Sequence, residues 1–141
     1  MRLYAPTGTR TTATDRNPSG IASGSDADPP AGVGTTIASY TCPAGRRAIL
    51  TLCEAGYTVV TALAAGQSAD DRLLFTPNGQ ATVPLCKLVF QAAAPVGTRD
   101  RVSTGQLQLS AGDNVIWIVG FTAGAGVIRG ASGLQGIEYD A

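Results

Sequence analysis

From Thr35 to the C-terminus the chain is written as short apolar runs, many of them β-branched, cut at brief intervals by glycine, proline and asparagine. That pattern restricts the chain to strands and turns. Candidate strands cover residues 35–42, 47–53, 57–63, 72–75, 81–91, 102–109 and 115–121, with a weak last strand at 135–139. Pro43, Ala44 and Gly45 form one turn, Pro77, Asn78 and Gly79 another, and residues 110–113 a third that joins the 102–109 and 115–121 runs as a hairpin. Pro84 lacks an amide hydrogen and marks its strand as an edge or a bulge. No segment sustains the i, i+3, i+4 apolar spacing of a helix. The best stretch, residues 62–72, is interrupted by Gly66. The expected fold is all-β, an antiparallel β-sandwich or barrel over residues 35–141.

Residues 1–34 read differently. Between positions 6 and 34 the residues are mostly Thr, Ser, Gly, Ala, Asp and Pro, and Ile21 and Val33 are the only large aliphatics. Such a stretch buries too little surface to offset its own ordering entropy. It reads as a flexible tail or an extended N-terminal arm that lies on a partner, and the arm is the preferred reading.

Composition removes several chemistries. There is no histidine, so a Ser-His-Asp triad, a Cys-His dyad and a His-based metal site are all excluded. Ten basic residues balance ten acidic ones, and only one of the ten is lysine. A phosphate-tracking surface needs clustered positive charge, so no nucleic-acid partner is expected. No stretch approaches the ~20 apolar residues of a spanning helix, and no membrane partner is expected. The first residues lack the apolar core of a signal peptide. Synthesis in a cytoplasm, with use there or release by lysis, is therefore expected.

Other features carry structural readings. Cys42, Cys53 and Cys86 are an odd set without C-x-x-C spacing and read as free, buried, small apolar side chains. Any bridge among them would need Cys86. Gly124 to Arg129 breaks the G-x-G-x-x-G pattern at its last position, and no helical pattern follows. That glycine-rich tract reads as a flexible or close-packed loop. The adjacent pair Asp70 and Asp71, and the Asp26/Asp28 cluster, read as solvated turns. No catalytic residue, cofactor or metal ligand is assigned. Residues 115–119, Val-Ile-Trp-Ile-Val, are apolar on both faces, as in a strand covered on both sides. Trp117 belongs to the core or to a subunit interface. Nine of the ten basic residues are arginine, the cation enriched at protein interfaces.

Two local texts carry a resemblance. Tyr40-Thr41-Cys42-Pro43-Ala44-Gly45-Arg46-Arg47-Ala48-Ile49-Leu50 is similar to the strand–turn–strand opening of small virion proteins of tailed bacteriophages. Residues 107–115, Leu-Gln-Leu-Ser-Ala-Gly-Asp-Asn-Val, resemble the L-x-L-x-x-G-D-x-V hairpin of jelly-roll domains, including trimeric tumour-necrosis-factor-like and phage accessory domains. Cupins share that text but need metal-binding histidines, which this chain lacks. With the polar N-terminal stretch, the whole resembles a phage capsid decoration protein. The resemblance implies a non-enzymatic homotrimer on the capsid exterior of the virion, bound to the major capsid protein. Leu3, Tyr4, Arg10, Arg16 and Ile21 of the arm, with Arg46 and Arg47, are the candidate contact residues. The alternatives are a tail, collar or head–tail joining protein, or a carbohydrate- or receptor-binding β-sandwich.

Overall fold

The computed structural model describes residues 19–27, 34–90, 93–121 and 126–141 of the 141-residue chain. Nine strands and no helix occur among them: β1 (Ser19–Ala27), β2 (Thr35–Thr41), β3 (Arg46–Thr61), β4 (Ala69–Thr76), β5 (Val83–Phe90), β6 (Arg99–Thr104), β7 (Leu107–Ser110), β8 (Asn114–Phe121) and β9 (Val127–Asp140). All pairings are antiparallel. One sheet has the order β1-β9-β3-β6, with β7 also paired to β3; the other has the order β2-β8-β4-β5. The fold is an all-β sandwich.

Alternation along each strand builds the core. Ala48, Leu50, Cys53 and Ala55 of β3, Leu134 of β9 and Leu109 of β7 face Ala38 of β2, Leu73 of β4, and Val115 and Trp117 of β8. Leu73 and Trp117 are direct cross-strand partners, and both are fully buried. Cys42 and Cys53 are buried, Cys86 is half-buried, and all three are free thiols, as their spacing suggests.

Several expectations are corrected. The two strands expected at 47–53 and 57–63 are one, because β9 pairs along nearly the whole of β3 and shifts of register at Leu50/Leu52 and Val59/Thr61 absorb its twist. Gly56 therefore lies inside a strand instead of ending one. The glycine-rich tract is largely β9 itself, the inner neighbour of both β1 and β3. Gly136 is required there: a Cβ would run into the Ile49 carbonyl and the Leu50 Cα. In keeping with its interrupted pattern, the stretch at 62–72 forms no helix; it is a connection followed by β4. Pro84 behaves as expected, since β5 is an edge strand whose register slips between Leu73/Cys86 and Leu74/Pro84.

The hairpin expected at 110–113 is a corner. β7 pairs with β3 in one sheet, and β8 pairs with β2 in the other. The turn at 43–45 also crosses between sheets, from β2 to β3. The two corners are bonded to each other: the Cys42 amide donates to the Asp113 carbonyl at 2.9 Å, and the Gly112 amide donates to the Cys42 carbonyl at 2.8 Å. The Asp113 carboxylate accepts the Ser110 and Asn78 amides, at 2.8 and 2.9 Å, which brings the 77–80 turn to the same end. Thus β2–β8 and β3–β7 pass between sheets as paired strands.

Residues 19–27 were expected to lie in an arm. They are β1, paired with β9 from Ser19↔Glu138 to Ala27↔Gly130. Ile21 is buried between exposed Gly20 and Ala22, the alternation of a half-covered strand, and β9 supplies the hydrogen-bonding partners that a free arm lacks.

Candidate functional site

The sequence-derived contact residues are not brought together. Leu3, Tyr4, Arg10 and Arg16 lie outside the described residues. Ile21 is a correction: it is buried in the core cluster, facing inward opposite Gly136, and presents no surface to a partner. Arg46 and Arg47 begin β3, at the end of the sandwich where the corner turns meet, and Arg47 is exposed.

Arg46 is held rather than free. Its guanidinium donates to Asp140 at 2.6 Å and to the Ser19 hydroxyl at 2.8 Å, and lies 3.3 Å from Glu138. Glu138 also accepts the Tyr40 hydroxyl at 2.7 Å and the Ser19 hydroxyl at 2.9 Å. The Tyr40 hydrogen bond, followed by Ser19 and Arg46, outweighs burial and holds the Glu138 carboxyl below its usual range. Burial, reinforced by Glu138, pushes the Tyr40 phenol upward. Five side chains from β1, β2, β3 and β9 thus clip the two sheets together. The cluster's role is structural, and spacing in the sequence does not announce it.

The outer face of the four-stranded sheet has a different character. Ile116 is paired with Leu74, and Ile118 with Arg72, on the face opposite Val115 and Trp117. The row continues through Leu74 to Pro84 of β5, and Asp70 stands opposite Val89. Val89 is 48% exposed. All described strands belong to the two sheets, so no third layer of strands covers this face. Its polar members are organised as ion pairs: Asp70 lies 2.7 Å from Arg72 and 3.1 Å from Lys87. Burial opposes ionisation of Asp70, and those two cations overcome it and hold its carboxyl below the usual range.

The neighbouring carboxylate is the opposite case. Asp71 faces inward, is fully buried, and neither oxygen has a hydrogen-bonding partner of good geometry. Burial raises its pKa to about 7, opposed only by the Arg72 backbone amide. The solvated-turn reading of this pair is overturned because both residues sit on a strand, where adjacent side chains point to opposite faces. Among the described residues, no group of three or more His, Cys, Asp or Glu side chains converges as a metal site.

The outer face of the five-stranded sheet carries an open pocket of about 670 Å³ beside Arg99, Arg101 and Arg129, with Glu54 and Asp100. Arg99 and Arg101 are two apart on β6 and share a face by strand period, and the register of β3, β6 and β9 brings Arg129 to them.

No family model and no curated protein sequence matches this chain. Similar solved structures include two of infectious bursal disease virus. The Gt strain structure is 12% identical over 99% of this chain and 37% of that chain, with a TM-score of 0.42. The Gx strain structure is 13% identical over 89% of this chain and 32% of that chain, with a TM-score of 0.43. The chain spans about a third of the length of those viral chains.

Proposed function

We propose that this chain is a structural virion protein, a homotrimer that binds the outside of an assembled bacteriophage head and clamps neighbouring major capsid subunits. The observation that carries the reading is the two-sided apolar strand β8. Val115 and Trp117 fill the core, while Ile116 and Ile118 lie on a face that no further strand among the described residues covers. In a sheet, such a strand is ordinarily covered on both sides. A second copy of the chain on that face supplies the missing layer. The capsid-facing contacts are assigned to residues 1–18 and to the exposed Arg47 at the corner end.

A protein of this kind needs no catalytic residue, cofactor, membrane or nucleic acid. Binding only to the assembled lattice stabilises that lattice by mass action. Three linked binding segments raise the effective concentration of each further contact. The test is titration of purified heads with the protein. Saturation at a copy number set by the capsid lattice supports the reading. Six or twelve copies per particle, confined to the neck or tail, contradicts it and favours the joining-protein alternative. Deletion of residues 1–18, which leaves every described strand intact, is expected to give a folded trimer that no longer binds heads.

A further inference from the structure

Three rows of residues cross the outer face of the five-stranded sheet. Arg99 of β6, Thr58 of β3 and Arg129 of β9 form the first; Arg101 and Gly56 are paired in the second; Glu54 and Gly133 are paired in the third. Arginines therefore rise on both sides of β3, and β3 carries small residues between them. Neighbouring strands lie ~4.8 Å apart, so the trough between the β6 and β9 backbones is roughly 10 Å wide. Its floor is low. Nothing stands within 4 Å of a Cβ position at Gly133, and the one at Gly56 meets only the Asp100 carbonyl and the Arg101 stem.

We propose that this trough binds an acidic saccharide, a ligand that carries a carboxylate together with several hydroxyls. The pocket of about 670 Å³ falls in the size range of small-molecule sites. Guanidinium groups bind a carboxylate through paired N–H donors. The ion pair of Arg101 with Glu54 fixes one such group in place while leaving it further donors. Glu54 supplies a carboxylate acceptor for hydroxyl hydrogens and Asp100 lends its backbone carbonyl at the Gly56 floor, so donors and acceptors stand together; the Asp100 carboxylate, between the two arginines on β6, belongs to the other face and accepts the Arg101 amide. Three arginines against the one Glu54 carboxylate leave the trough positive over a single short patch, without the run of cations that tracks a polyphosphate backbone. The lining includes no aromatic ring and no large aliphatic side chain, so the anchors of a typical protein or peptide partner find no pocket here. The site is independent of the virion reading and lies on the sheet opposite the proposed trimer face.

The experiment is calorimetric titration of the full chain with D-glucuronate, N-acetylneuraminate, D-glucose and a short Glu-rich peptide. One or both acidic sugars are expected to bind saturably, with D-glucose weaker by about tenfold or more, as loss of one charge-assisted contact dictates. Arg99→Ala and Arg101→Ala are each expected to weaken the acidic sugar by about tenfold while leaving thermal unfolding close to wild type. Because Arg101 also pairs with Glu54, Arg99→Ala is the cleaner variant. Equal affinity for glucuronate and glucose, tighter binding of the peptide, no saturable binding of either acidic sugar, or unchanged affinity in Arg99→Ala would each overturn the proposal.

Discussion

Tyr40 of β2 donates its hydroxyl to Glu138 of β9 at 2.7 Å, so one hydrogen bond ties the edge of the four-stranded sheet to the five-stranded sheet. Arg46 and Ser19 complete the contact. Removing the hydroxyl in Tyr40→Phe keeps the ring in place and leaves Glu138 one partner short. The expected cost is about 1–2 kcal/mol of unfolding free energy. Glu138 has a lowered folded pKa, so its contribution is present above its ordinary pKa and is lost as pH falls through the folded value. Denaturant unfolding at pH 7 and at pH 3 checks this, with the difference between wild type and variant expected to shrink at the lower pH.

Asp71 gives the opposite pH dependence. Its folded pKa, about 7, lies above the ordinary 3.8. The unfolded chain releases the proton first, so stability falls as pH rises between those values and levels off above about 7. The full effect is on the order of 4 kcal/mol at most. Asp71→Asn is expected to flatten the profile between pH 4 and pH 7 and to raise stability at pH 8. Parallel pH–stability profiles for wild type and variant would contradict the burial of this group.

Glycines along the same sheet are not equivalent. Gly136→Ala drives a methyl group into the Ile49 and Leu50 backbone, which cannot rotate away. A loss of about 3 kcal/mol or more, or failure to fold, is expected. Gly20 on β1 has open space at its Cβ position, so Gly20→Ala is expected to be neutral or slightly stabilising, by up to about 1 kcal/mol. Thermal unfolding of the pair distinguishes them.

At the corner end, Asp113→Ala removes the acceptor of the Ser110 and Asn78 amides. A loss of about 1–3 kcal/mol is expected. Chemical unfolding measures it, and Asp113→Asn, which keeps a carbonyl acceptor, is expected to recover part of it.

The strand text was legible because β-branched runs and Gly/Pro turns act locally. The turns at 43–45 and 77–79, the Pro84 edge and buried Trp117 all follow from such signals. What stayed hidden depends on partners far along the chain. The turn at 110–113 contains the same residues whether it closes a hairpin or turns a corner, and the choice is made by β3 and β2, which pair with β7 and β8. Ser19–Ala27 has little apolar content and becomes a strand because β9 offers it a full ladder of hydrogen bonds. Asp71 reads as polar and exposed until the strand period turns it inward. The Arg99, Arg101 and Arg129 trough, and the Arg46 clip, exist only through cross-strand register. Likewise Gln67, buried and bonded through its amide to both the NH and the carbonyl of Gly126, pins the connection after β3 to the start of β9 and has no local signature.

In the proposed trimer the outer face of the four-stranded sheet is covered by further copies of the chain. Light scattering after size-exclusion chromatography tests it most directly, on wild type and on the Ile116→Asp/Ile118→Asp double variant. The expected wild-type mass is that of three 14.3 kDa chains, and the folded variant is expected at the mass of one. A wild-type protein that stays at 14.3 kDa at every concentration, or a double variant that remains trimeric, would contradict it.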